Sequence, residues 1–182
     1  STAMHPGRMR LQHLYYGFDA NNYYFRIDAD PSVVQPEDSA VVELSLHLLS
    51  SGNVWRLNVR LERNDQPRVY SVTATFAHAH SDSREVPIHA QAVAVAGVPA
   101  GSTAPKGGEE GDQAAPLRAR VAVGEIVEMA IPRSFLPLQA NDPLDFFVTL
   151  QIDGHEAERL PAHTPLHMGI PSPDFEQMQW TV

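Results

Sequence analysis

The chain has 182 residues, 43% hydrophobic and 19% charged, which predicts one globular domain with a full apolar core. Its 13 Lys and Arg residues against 22 Asp and Glu give a net charge of −9, and such a surface repels nucleic-acid phosphates and anionic membranes. It has no cysteine, which excludes disulfides, cysteine–zinc sites and thiol nucleophiles.

Residues 1–6 show no basic segment followed by an apolar core, so we expect no signal peptide. No run approaches the 18 or more apolar residues of a membrane helix. Together with the lack of cysteine, this favours a cytoplasmic location. The chain is equally consistent with a piece of a longer protein, so the compartment stays open.

The first element is a predicted β-hairpin over residues 11–28. Two aromatic runs, 14–18 and 23–28, flank the segment Asp19-Ala20-Asn21-Asn22, and Asp and Asn tolerate the backbone angles of a tight turn. A four-residue turn here sets the register. It pairs Phe18 with Tyr23, Tyr16 with Phe25 and Leu14 with Ile27 as a core face.

The opposite face of the hairpin pairs Gly17 with Tyr24, Tyr15 with Arg26 and His13 with Asp28. We expect Tyr24 to fold over Gly17 beside a stack of Tyr15 on Arg26, which makes a flat amphipathic surface. Two interpretations stay open. The surface is covered by another part of the protein, or it is a platform for a ligand.

Period-two alternation of apolar and polar residues continues along the chain and predicts about nine or ten strands, with little helix. Beyond the hairpin, the predicted strands are 40–48, 55–62, 70–76, 89–96, 117–123, 125–131, 144–152 and 177–182. Trp55 is in phase with the core residues of its strand. Many short strands separated by turns indicate an all-β fold, an antiparallel two-sheet β-sandwich of the jelly-roll-like type.

Residues 97–116 interrupt this pattern. They read GVPAGSTAPKGGEEGDQAAP and contain almost no large apolar side chain, so they bury too little surface to offset the entropy of ordering. We predict a mobile, dispensable insertion in a single domain spanning 1–182.

The sequence LYYGFDANNYYFRID resembles the opening of the C-terminal accessory domain of family 57 glycoside hydrolases, which is similar to the C-terminal binding module of glucodextranase. The resemblance continues over 125–132, Phe135-Leu136, Asn141-Asp142 and 153–161. It closes with 171–175 and Trp180-Thr181-Val182. It therefore covers most of the chain outside the insertion.

This resemblance implies a non-catalytic β-sandwich module appended to an α-glucan-active enzyme. Our candidate carbohydrate-binding residues are Tyr15, Tyr24, Arg26, Asp28 and Trp180, since aromatic faces stack on sugar rings while charged groups bind hydroxyls. The partners expected are an α-glucan and the catalytic domain of a larger chain. The alternative is a structural domain packed on that catalytic partner, with no ligand of its own.

Three clusters are candidate metal or catalytic sites. Asp19, Asn21, Asp28 and Asp30 offer oxygens to Ca²⁺, although turn formation explains them equally well. His78 and His80 have the spacing of a metal pair, with Asp82, His89 or His155 as a third ligand, although nine histidines make chance pairs common. Glu156 and Glu158 share a strand face in a regular strand, as a glycosidase pair does, and pairing with Arg159 is the competing interpretation.

Overall fold

The structure is a computed structural model that describes residues 9–36, 40–63, 70–79, 85–92 and 118–172. The predicted insertion at 97–116 lies outside these ranges. The same holds for His80, Asp82 and the predicted C-terminal strand with Trp180.

The described residues form eleven β-strands with one α-helical turn and one 3-10 turn. The elements are β1 (Leu11–Phe18), β2 (Asn22–Ala29), α1 (Pro31–Val34), β3 (Val42–Ser50), β4 (Asn53–Arg63), β5 (Tyr70–His78), β6 (Val86–Ala92), β7 (Arg120–Val123), β8 (Ile126–Pro132), the 3-10 turn Arg133–Phe135, β9 (Pro143–Ile152), β10 (His155–Leu160) and β11 (Leu166–Gly169). The predicted all-β fold with little helix is confirmed. Among these residues no helix is long and apolar enough to cross a membrane.

The strands follow one another in the order β1-β2-β8-β7-β6-β5-β4-β3-β9-β10, and β11 pairs with β9 beside β10. Strand β6 joins the two layers, because its first half pairs with β5 and its second half, from His89, pairs with β7. The two layers are therefore parts of one continuous, nearly closed sheet. The β6–β7 pair is parallel, whereas every other pair among the described strands is antiparallel.

The core lies between the layers and is built from alternate residues of their strands. Phe25 on β2 meets Phe146 on β9 edge to face, with ring centroids 5.3 Å apart. Trp55 is buried, as predicted. Other buried residues are Ile27, Val127, Met129 and Ile131 from one layer and Leu44, Leu46, Leu48, Leu57, Val59, Leu61, Leu144, Val148 and Leu150 from the other.

Of the residues predicted for the core face of the hairpin, Leu14 and Phe18 are partly buried and one is exposed. Tyr16 is 47% exposed, although its ring contacts Phe146 edge to face at 4.9 Å. The reason is the position of β1 at the end of the strand order. An end strand has a neighbour on one side only, so an inward side chain there stays partly open to solvent.

The open side of β1 is held to β10 by a side chain. The carboxylate of Glu158 accepts hydrogen bonds from the backbone N–H of Arg10 at 2.8 Å and of Leu11 at 2.8 Å.

A β-bulge between Glu156 and Glu158 places Glu156 opposite Gln151 and Glu158 opposite Leu150. Consecutive residues of a strand point to opposite faces, so these two glutamates do not share a face, contrary to the prediction. Glu156 pairs instead with Arg159, at 3.3 Å.

Candidate functional site

The β1–β2 hairpin has the predicted register in all six pairs, from Phe18 opposite Tyr23 to His13 opposite Asp28. The turn is stabilised by Asp19, whose Oδ1 accepts hydrogen bonds from the N–H groups of Asn21 and Asn22, each at 2.7 Å. This is the local hydrogen bonding that makes Asp a turn residue.

Tyr24 is half-buried, and its hydroxyl donates a 2.6 Å hydrogen bond to Oδ2 of Asp19. This bond lowers the pKa of Asp19 and raises the pKa of Tyr24, because it favours the ionised carboxylate and the neutral phenol. The position that a Cβ on Gly17 would take has no heavy atom within 4 Å. Tyr24 therefore does not fold over Gly17, contrary to the prediction, and the surface above this glycine is open.

Tyr15 forms the predicted stack with Arg26. The guanidinium carbon lies 5.2 Å from the ring centroid of Tyr15, which is 48% exposed. Arg26 is held in place by Asp28 through two hydrogen bonds, Nε to Oδ1 at 2.7 Å and Nη2 to Oδ2 at 3.2 Å. The bonds to Asp28 raise the pKa of Arg26 above its usual value. The aromatic ring, the cation and the carboxylate thus form one fixed unit on the outer face.

Next to this unit, the outer face of the first layer contains a groove of about 480 Å³, which we call the Tyr24 groove. Its lining residues that carry polar or aromatic side chains are Tyr24, His89, Gln91, Arg120 and Glu128. Strand pairing places Tyr24, Ala130, Arg120 and His89 in one row and Arg26, Glu128, Ala122 and Gln91 in the next. Ala130 and Ala122 form the floor of the groove between longer polar side chains.

Two charged groups of this groove are available to a ligand. Within the part of the chain that the structure describes, neither Arg120 nor Glu128 makes a hydrogen bond or an ion pair. Arg120 opposes Ala130, and Glu128 opposes Ala122 on the neighbouring strand. The groove therefore presents a donor and an acceptor that face solvent across a small apolar floor, with Tyr24 at one side.

Comparison with known proteins adds no assignment. The chain matches no family model, no curated protein and no solved structure. The interpretation of the Tyr24 groove consequently depends on its own geometry.

Sequence reasoning placed Tyr15, Tyr24, Arg26 and Asp28 on one face but missed the other half of the groove. Arg120, Glu128, His89 and Gln91 come from β6, β7 and β8, and they join Tyr24 only because β2 pairs with β8. Alternation alone shows that these residues point outward from their own strands. It does not show which strand lies beside which.

The four residues proposed for Ca²⁺ occupy two separate places. Asp19 and Asn21 lie in the hairpin turn, whereas Asp28 and Asp30 lie at the far end of β2, about 20 Å away at the usual rise of a strand. Asp30 caps the α1 turn, where its Oδ1 accepts a hydrogen bond from the N–H of Ser32 at 3.1 Å. These carboxylates therefore have local structural partners.

Of the proposed histidine cluster, His80 and Asp82 lie outside the described residues, and the described part of the chain holds no group of three His, Asp or Glu suited to a metal. His78 stacks on Trp55, with centroids 5.2 Å apart, and its Nε2 lies 3.2 Å from Oδ1 of Asn53. His89 lies in the Tyr24 groove, and His155 contacts the carbonyl oxygen of Asp153.

Proposed function

We propose that this chain is a non-catalytic carbohydrate-binding module of an α-glucan-active glycoside hydrolase, and that the Tyr24 groove with the Tyr15–Arg26–Asp28 unit is its binding surface. The observation that carries the proposal is the pair Arg120 and Glu128, which face an open groove and make no hydrogen bond or ion pair among the described residues. The resemblance to the family 57 accessory domain supports the choice of an α-glucan.

The chemistry of the surface suits a sugar chain. A pyranose ring has an apolar C–H face that packs on an aromatic ring, and its hydroxyl groups both donate and accept hydrogen bonds. Tyr15 and Tyr24 supply the aromatic surface. Arg120 donates and Glu128 accepts, so the two together match a hydroxyl group, which is neutral and can do both.

The size of the groove agrees with this ligand class. Ligand sites in proteins have volumes of roughly 300–1,000 Å³, and the Tyr24 groove has about 480 Å³. The fixed Tyr15–Arg26–Asp28 unit extends the same face toward the edge strand β1. A linear glucan has room to lie across the groove and reach Tyr15.

The test is affinity gel electrophoresis in soluble amylopectin, with calorimetry on maltoheptaose. Arg120→Ala and Tyr15→Ala should each weaken binding at least fivefold without changing the melting temperature. Arg118→Ala removes another exposed arginine, two residues away and outside the groove lining, and it should bind like the wild type. No retardation of the wild-type protein would contradict the proposal.

A scaffolding role is the second candidate function, and one observation favours it. Met9 and Tyr16, at the open side of β1, are exposed apolar residues, and such surface is common where domains dock. If the chain packs on a catalytic partner through this side, Tyr16→Ser should abolish association with the partner and leave glucan retardation unchanged. The opposite outcome would place the ligand at the β1 edge.

A further inference from the structure

The second layer has a groove of its own on its outer face, away from the Tyr24 groove. It has a volume of about 300 Å³, and we call it the Asn58 trough. Strand register arranges this face of β9, β3, β4 and β5 in three rows. The rows are Gln151, Glu43, Arg60 and Thr73; Thr149, Ser45, Asn58 and Thr75; and Phe147, His47, Arg56 and Ala77.

Three residues of the middle row, Ser45, Asn58 and Thr75, form the floor of the trough, and their side chains are small and polar, whereas Thr149 is buried and lies outside the lining. The hydroxyl of Ser45 donates to Oδ1 of Asn58 at 2.7 Å, and Thr149 bonds to Nε2 of His47 at 2.9 Å. In the described structure, the amide nitrogen of Asn58 and the hydroxyl of Thr75 have no hydrogen-bond partner. The floor therefore has a free donor and a free hydroxyl facing the trough.

The residues of the first row form one wall of the trough, and Arg56 of the third row lies on its other side. Arg60 donates to Oε1 of Glu43 at 2.8 Å and also pairs with Glu62. Beside Arg56 and outside the lining of the trough, the rings of His47 and Phe147 stack with centroids 4.5 Å apart and planes within 7°. The Arg60–Glu43 pair is a fixed part of the wall, which is favourable for binding, because a ligand then costs less ordering of side chains.

Arg56 is the one guanidinium of this face that the described residues leave without a hydrogen bond or ion pair. It lies opposite His47 in the third row, beside the Asn58 floor, and its side chain is exposed. The trough thus combines a free cation, a free amide donor and a free hydroxyl with the exposed carboxylate of Glu85, which makes no hydrogen bond or ion pair among the described residues, whereas Arg60 and Glu43 neutralise each other. This set suits a neutral ligand that is rich in hydroxyl groups.

We propose that the Asn58 trough is a second, independent binding site for an extended glucan chain. The lining crosses four strands, from Gln151 on β9 to Thr75 on β5, which corresponds to about 14 Å at the usual strand spacing, enough for a short stretch of a single sugar chain. The inference rests on the proposed function for the class of ligand but not for the location of the site.

The two sites have a functional consequence because they lie on the outer faces of opposite layers, with the hydrophobic core between them. A chain bound in one groove would have to bend around the domain to reach the other. Binding at both sites therefore links two glucan chains. A module of this kind cross-links its polymer, whereas a module with one site only coats it.

The experiment measures two properties of the same proteins, the retardation in amylopectin gels and the turbidity of amylopectin solutions. The trough is altered by Arg56→Ala, which removes the free cation, and by Thr73→Trp, which fills the trough from an exposed position of β5. The Tyr24 groove is altered by Arg120→Ala, and Arg118→Ala is the matched control. Melting curves verify that each variant is folded.

We expect the wild type and Arg118→Ala to raise turbidity and to bind two maltoheptaose molecules by calorimetry. Each single-groove variant should lose at least nine-tenths of the turbidity, bind one maltoheptaose and still be retarded in the gel. Turbidity equal to that of the wild type in Thr73→Trp and Arg56→Ala would overturn the second site. One maltoheptaose per wild-type chain without turbidity would overturn it too, while leaving the proposed function intact. Absence of both retardation and turbidity in the wild type would overturn both proposals.

Discussion

Removal of the Glu158 carboxylate should separate β1 from β10, the two strands at the ends of the sheet. This side chain connects β10 to the unpaired side of β1 and accepts three hydrogen bonds, two from the N–H of Arg10 at 2.8 and 2.9 Å and one from that of Leu11 at 2.8 Å. Arg10 is exposed, so water replaces its lost bonds, whereas Leu11 is fully buried. Most of the loss of stability therefore comes from the Leu11 amide, which is left without a hydrogen-bond partner.

A hydrogen bond to a charged group contributes about 1.5–3 kcal/mol, and a buried donor without a partner costs about 1–3 kcal/mol. Since these effects overlap, we expect Glu158→Ala to lower the free energy of unfolding by about 2–4 kcal/mol. In a chain of this length that corresponds to about 5–12 °C in melting temperature. Urea unfolding measures the loss, and hydrogen exchange of the Leu11 amide shows whether it is local.

Glu156→Ala is the matched control, because it removes a glutamate from the same strand whose carboxylate pairs with exposed Arg159. Exposed ion pairs contribute about 1 kcal/mol or less. Equal destabilisation by the two substitutions, or unchanged exchange of the Leu11 amide in Glu158→Ala, would refute the role of this carboxylate in closing the sheet.

Three further predictions test the hairpin and the opposite face. Replacement of Phe25, which is 2% exposed, by alanine should lower the free energy of unfolding by about 3–5 kcal/mol, and Tyr24→Ala should lower it by less than half of that. Equal losses of stability in urea unfolding would contradict the faces assigned to these two residues. Burial, together with Arg56 and Arg159, lowers the pKa of His47 from 6.5 to about 4, so the folded state favours the neutral ring. The free energy of unfolding is unaffected by this group above pH 6.5 and falls by about 1–3 kcal/mol as the pH drops toward 4, because the unfolded state then binds the proton more readily. His47→Gln should remove this part of the pH dependence of unfolding. His163→Gln, at an exposed position, should retain it. Gly17→Val should leave stability unchanged or raise it by up to about 1 kcal/mol, because the space above this strand residue is empty; a lower melting temperature would show that the space is filled.

The local features of the fold were predictable from the sequence. The turn Asp19-Ala20-Asn21-Asn22 joins adjacent segments, so its length alone determines which residues of β1 and β2 face each other. Alternation located β3, β4, β5 and β9 to within a few residues. It also placed Tyr15 and Arg26 together on the outer face. Each of these inferences uses only residues close in sequence.

Two strands, β10 and β11, were absent from the predicted set. β10 is mostly polar and contains a bulge, so its alternation is broken at Ala157. β11 has four residues, too few to show a period. Both strands form because they hydrogen-bond to the backbone of β9. These bonds depend on the N–H and C=O groups that every non-proline residue carries.

The sequence by itself determined which side of each strand is apolar, since that property follows from the order of residues along the strand. Only the tertiary structure decided which strands are neighbours. It brought Arg120 and Glu128 beside Tyr24 and made β6 a member of both layers. It also left Tyr16 exposed on the end strand β1, which Glu158 connects to β10. The physical reason is that strands pair through backbone groups common to nearly all residues. Partner choice is therefore settled by the packing of the whole chain and not by any one segment.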